Sequence, residues 1–114
     1  MIVPVSFEFF PARSADGQGN LLAAQKLLKK LNPEFYSVTF GAGGGTRDLT
    51  IQTVLDIAKN TRVMGVPHIS CTALSNQEIQ GALEQYKKAD VTQLVVLRGD
   101  TPSGGQCFSE LRHA

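Results

Sequence analysis

Residues with β-branched and aromatic side chains cluster in four short runs, Val3 to Phe10, Phe35 to Phe40, Val66 to Thr72 and Gln93 to Leu97. Such runs favour strands. Three stretches between them carry apolar residues at helical spacing. Leu21, Leu22, Leu27, Leu28 and Leu31 form the first stripe, and Ile51, Val54, Leu55 and Ala58 the second. Ile79, Ala82, Leu83 and Tyr86 form the third at i, i+3, i+4, i+7. Ser75-Asn76-Gln77-Glu78 reads as a capping box opening that third helix,. Pro33 follows the first helix as a stop signal,. The order is β-α-β-α-β-α-β, which predicts right-handed crossovers and a parallel sheet.

Strand periodicity sharpens the fold class. Side chains alternate between faces with period 2. Ser6 and Glu8 therefore share one face of the first strand, Ser37 and Thr39 one face of the second, and His68, Ser70 and Thr72 one face of the third. A parallel sheet covered on both faces should instead read as continuous apolar runs. A small open α/β fold remains an alternative, but a barrel lumen explains three polar rows better. Glu8 is the sharpest of these positions, because Val5, Phe7, Phe9 and Phe10 around it are buried-strand material. Either Glu8 lies on a wet face, or the strand lines a site that needs a proton.

Composition narrows the function. The chain has 114 residues, enough for one domain with a modest core,. Lys and Arg total 11 against 10 for Asp and Glu, which gives no electrostatic footprint for nucleic acid,. No apolar stretch approaches the roughly 18 residues that span a bilayer, so no membrane partner is expected. The first residues lack a signal peptide's basic and apolar blocks. Two cysteines, Cys71 and Cys107, make no disulfide framework,, and a reducing cytoplasm is the expected location.

Three further motifs carry candidate chemistry. Residues 41 to 48 read GAGGGTRD, between a strand and a helix. They fail the dinucleotide fingerprint, because Thr46 stands where its third glycine would fall,. Two readings stay open: a turn with Thr46 as N-cap and Asp48 in the first helical turn, or a backbone that lets a flat or phosphorylated ligand approach. His68 and Cys71 lie three apart on a strand, hence on opposite faces, and with Cys107 and His113 match no zinc spacing,. No metal is expected, and Cys71 reads as a core residue. The fourth strand runs into Arg98-Gly99-Asp100, at the carboxyl end where parallel α/β folds bind ligands.

Together, SFEFFPAR (6–13), YSVTFGAGGGTRD (36–48), PHISC (67–71) and LRGDTP (97–102) resemble the methylenetetrahydrofolate reductase family. The resemblance implies a (β/α)8 TIM-type barrel holding FAD. The implied activity takes hydride from NADH or NADPH and reduces 5,10-methylenetetrahydrofolate to 5-methyltetrahydrofolate. It implies that Glu8 is the general acid that opens the folate's five-membered ring, a role helped by a partly apolar lumen, which favours a protonated carboxyl. It implies that Asp100 lies beside the flavin and contacts the pterin. Thr39 matches a position near the nicotinamide, and Phe40, Ala42, His68, Arg98, Gly99 and Asp100 match positions lining FAD.

The match has departures. Pro11-Ala12 replaces a frequent proline pair, Phe40 stands where some relatives have Tyr, and Asp90 stands where a helix-ending Gly is common, so Asp90 is expected in the left-handed region. A whole barrel needs about 250 residues. Residues 1–114 are therefore expected to form its N-terminal half, about four βα units with the C-terminal half absent, and to be inactive alone. The sequence is silent on oligomeric state and compatible with a homo-oligomer at full length. The competing class is a non-catalytic α/β module that binds flavin or a nucleotide.

Overall fold

The computed structural model describes residues 2–40, 46–72 and 74–99. Strands β1 (Phe7–Phe9), β2 (Tyr36–Val38), β3 (Gly65–Ser70) and β4 (Val95–Leu97) alternate with helices α1 (Ala15–Leu28), α2 (Thr46–Thr61) and α3 (Asn76–Lys88). A 3₁₀ turn, Lys29–Leu31, extends α1. All pairings are parallel, and the strands lie side by side in chain order. The architecture is α/β with an open sheet.

That monotonic order separates the two fold classes left by the sequence. A doubly wound sheet reverses its strand order and so receives helices on both faces. Consecutive crossovers of one hand put every helix on the same face. Phe7, Phe9, Tyr36, Val38 and Ile69 accordingly share one core with Val54 and Ile57 of α2 and with Ile79, Ala82 and Tyr86 of α3. Tyr36 anchors that core: its ring meets Phe9 edge-on at 5.1 Å and Phe7 at 6.3 Å. Such pairs are worth about 0.5–1.5 kcal/mol beyond their burial. The opposite face of the sheet carries the polar rows, and no helix among the described residues covers it. This is the arrangement of the first units of a (β/α)8 barrel.

Local signals explain the element ends. Ser14 caps α1 by accepting from the Gly17 N–H at 3.0 Å, and Ser75 caps α3 by accepting from the Glu78 N–H at 3.2 Å. α2 begins at Thr46, with Asp48 in its first turn. Asn32, Arg62 and Asp90 have φ of 53°, 60° and 60°. Each stands just after a helix and turns the chain left-handedly toward the next strand. Gly65 opens β3 where α2 lies close: a Cβ there would come within 3.0 Å of both Cγ1 and the carbonyl oxygen of Val54.

Several expected core positions are not core. Leu27 and Leu31 are 63% and 60% exposed, and Gln25 is the buried residue of α1. On α2 the buried face is Thr50, Val54, Ile57 and Thr61, with Ala58 exposed. On α3, Leu83 is exposed while Ile79, Ala82 and Tyr86 are buried. The first strand is three residues rather than the run from Val3 to Phe10, and Val5 and Phe10 are exposed. β1 is an edge strand with a ladder partner on one side only, so it lacks the second neighbour that would bury its ends.

Candidate functional site

The polar face is built by register. Glu8 pairs with Ser37, and Ser37 with Val66. His68 lies two residues further along β3 and pairs with Val95. Period-2 alternation then places Glu8, Ser37, Thr39, His68 and Ser70 on the face opposite the helices. β2 lies between β1 and β3, so the two outer backbones are roughly 10 Å apart. Long side chains bridge that gap over the small Ser37: Glu8 Oε1 lies 3.5 Å from His68 Nε2. The Glu8 side chain is 58% exposed and the His68 side chain 11%. The four strands thus present the carboxyl on an open surface, and the apolar enclosure expected around it is not supplied by them.

At the carboxyl end of the sheet the ladder continues past β3. The N–H groups of Cys71 and Thr72 donate to the carbonyls of Leu97 and Arg98, both at 2.9 Å. This holds Gly99 against β3 with φ +81°. A Cβ at Gly99 would overlap Ser70 Oγ and come within 2.8 Å of Thr72 Oγ1. Only glycine allows both this φ and this approach. Nearby on β2, the Thr39 carbonyl accepts from Thr50 Oγ1 at 2.9 Å, which ties the strand end to α2. The Thr39 hydroxyl itself is buried and has no hydrogen-bond partner among the described residues.

The expected site residues therefore divide. Glu8, Thr39 and His68 share the open face, and Gly99 closes in on Ser70 and Thr72 of the same face. Phe40 packs against the helix-side core, so its ring serves the core. Arg98 is exposed. Ala42 and Asp100 lie outside the described residues, as do the glycines of residues 41–45 and the second cysteine and histidine, Cys107 and His113. Cys71 is a free, fully buried thiol on the helix-side face, as its spacing from His68 suggested. Among the described residues no three His, Cys, Asp or Glu side chains gather at metal-binding distance. Nor is any helix among them long and apolar enough to cross a membrane. The Glu8–His68 contact was not foreseen. Its signal was available in the two polar rows, but only the register shows that the rows meet diagonally.

A sequence profile of the methylenetetrahydrofolate reductase family matches residues 2–113. The 5,10-methylenetetrahydrofolate reductase of Pectobacterium carotovorum subsp. carotovorum is 36% identical over 103 residues, 90% of this chain and 35% of its own. That of Salmonella typhimurium is 35% identical over 102 residues, 90% of this chain and 34% of its own. Methylenetetrahydrofolate reductase (NADH) 1 of Arabidopsis thaliana is 35% identical over 106 residues, 93% of this chain and 18% of its own. The chain thus spans about a third of the bacterial relatives and less of the plant one. With residues 2–113 inside the profile, the chain belongs to the methylenetetrahydrofolate reductase family.

Proposed function

We propose that this chain supplies the proton-donating wall of a flavin-dependent reductase. Its substrate would be 5,10-methylenetetrahydrofolate, its product 5-methyltetrahydrofolate, and its hydride donor NADH or NADPH. In that reading residues 1–114 contribute the first four βα units of one (β/α)8 barrel domain. The observation that carries it is a carboxylic acid in the middle of β1, on the face that no described helix covers, 3.5 Å from an imidazole.

Glu8 would act on the substrate's five-membered ring. Its proton goes to the ring nitrogen that leaves. The bond from that nitrogen to the bridging carbon breaks toward the nitrogen, and the lone pair of the other nitrogen forms a C=N⁺ bond. The resulting iminium is the electrophile that accepts hydride. A half-exposed carboxyl on an open face is reachable by a substrate, as a general acid must be.

Two features fit FAD at the carboxyl end of the strands. Thr39 Oγ1 is a buried hydroxyl without a partner among the described residues, and Gly99 leaves no space for a Cβ where backbone meets Ser70 and Thr72. Thr39, His68, Arg98 and Gly99 would hold the group, joined by Ala42, Asp100 and the backbone at Phe40. Bound there, FAD would supply the hydride path between nicotinamide and folate. An acidic side chain at Asp100 would disfavour an anionic reduced flavin and favour a cationic substrate. The reading also supports one-carbon and methionine metabolism in the cytoplasm as the setting.

The test is a purified complete barrel that carries these residues, assayed for flavin absorbance and for oxidation of NADH and of NADPH that depends on methylenetetrahydrofolate. Folate-dependent oxidation with methyltetrahydrofolate as product is expected with at least one donor. Flavin bound without any folate reduction would instead favour the binding-module reading.

A further inference from the structure

We propose that His68 is a positioning residue for Glu8, holding its carboxyl over β2 and returning its proton after each transfer. This inference rests on the role given to Glu8 above.

The geometry supports a pairwise role. Register separates Glu8 and His68 by a full strand and by two residues along the sheet. Neither is the other's cross-strand neighbour, so their 3.5 Å contact exists because both side chains lean inward over Ser37. His68 is nearly enclosed and Glu8 is half exposed, so the imidazole is the fixed partner and the carboxylate the movable one. An imidazole Nε2 placed toward a carboxylate restricts its rotamers and orients the acid. At 3.5 Å the contact is long for a formed hydrogen bond, and such bonds commonly tighten when substrate binds.

The other groups around His68 leave this pairing undisturbed. Its neighbours on the same face are Ser37 and Thr39 of β2 and Val95 and Leu97 of β4, none of which titrates near neutrality. α2 packs on the opposite face of β3. Among the described residues Glu8 is the one ionisable group in ion-pair contact with His68.

The proton balance follows. Glu8 as a carboxylic acid gives its proton to the substrate nitrogen and becomes a carboxylate. The His68 imidazolium donates Nε2–H to that carboxylate and becomes neutral. The imidazole then takes a proton from water. No electrons move and no co-reactant other than solvent is needed.

Three measurements test this. First, the His68 ring signals, assigned in the NMR spectrum by their loss in His68→Gln, should move in Glu8→Gln; unmoved signals would show that the contact is absent. Second, folate-driven reoxidation of the flavin in the flavin-loaded enzyme should slow in His68→Gln by on the order of 10-fold more than reduction by nicotinamide does, part of the 10²–10⁴-fold available to a general acid. Third, added imidazole should restore the folate half-reaction of His68→Ala but not that of Glu8→Gln. Equal slowing of both half-reactions, or flavin lost from both His68 variants, would leave His68 a residue of the cofactor site alone and overturn the proposal. If Glu8→Gln itself reoxidises normally, the role of Glu8 fails and this inference with it. If only Glu8→Gln is impaired, the role of Glu8 stands and this inference alone fails.

Discussion

The Glu8 carboxylate reaches the His68 imidazole to 3.5 Å by crossing above Ser37, a residue too small to obstruct it. Ser37 is buried beneath the bridge and pairs directly with Glu8.

Ser37→Leu should separate the two groups. The added branched chain must occupy the space the bridge spans, and overpacking in a tight site typically costs about 1–3 kcal/mol. The NMR signals of His68 should then resemble those seen in Glu8→Gln, while Ser37→Ala should leave them as in the parent. Equal spectra for Ser37→Leu and the parent would show that Ser37 does not set the gap.

Tyr36 should govern an alkaline limit of stability. Its hydroxyl donates to the Gln25 carbonyl at 2.5 Å, inside the core. Burial holds the phenol's pKa above its ordinary value of about 10,. The unfolded chain therefore releases this proton first as pH rises, and stability falls where the folded state still holds it. The contribution is intact below about pH 10 and is lost as pH climbs from there through the raised value. Tyr36→Phe should cost about 1 kcal/mol at neutral pH for the lost hydrogen bond. It should also flatten the decline above about pH 10, read as urea midpoints of both proteins from pH 8 to 11.

Gly99→Ala should be strongly destabilising at the carboxyl end of the sheet. A left-handed φ costs an L-residue about 1–2 kcal/mol by itself. The new Cβ would also overlap Ser70 Oγ. A fall in urea midpoint together with lower flavin content on purification is expected. An unchanged midpoint would mean that the segment after β4 is held less tightly than its two ladder bonds imply.

The helix-ending residues should respond oppositely. Arg62 and Asp90 pay a left-handed penalty that glycine avoids, at φ 60° each. Arg62→Gly and Asp90→Gly should each raise stability by a few tenths to about 1 kcal/mol, visible as a higher thermal midpoint. Ser75→Ala should lower it by about 1 kcal/mol through loss of the α3 cap.

Much of this was readable in the residues. The alternation of elements, the capping box at Ser75 and the polar rows follow from local chemistry, and the left-handed Asp90 from the family resemblance. What sequence pattern misassigned was the rotation of helices. On α2, Thr50 and Thr61 are buried because their hydroxyls bond to backbone, Thr50 to Thr39 and Thr61 to its own helix at Ile57. A hydropathy pattern scores such residues as polar and turns the predicted stripe toward Ala58. Leu27 and Leu31 were expected inside because leucine usually is, yet α1 is placed by Gln25 accepting from Tyr36. The Glu8–His68 pair depends on register between three strands, which no single segment encodes.

The most direct measurement is anaerobic stopped-flow of Glu8→Gln in the full-length, flavin-loaded enzyme, following the flavin band through each half-reaction separately. The substitution keeps the shape of Glu8 and removes its acid. Reduction by the nicotinamide needs no proton from Glu8 and should stay near the parent rate. Reoxidation by methylenetetrahydrofolate should fall by about 10²–10⁴-fold or more. Equal slowing of both steps would make Glu8 a structural residue of β1, and no slowing of either would place the proton elsewhere.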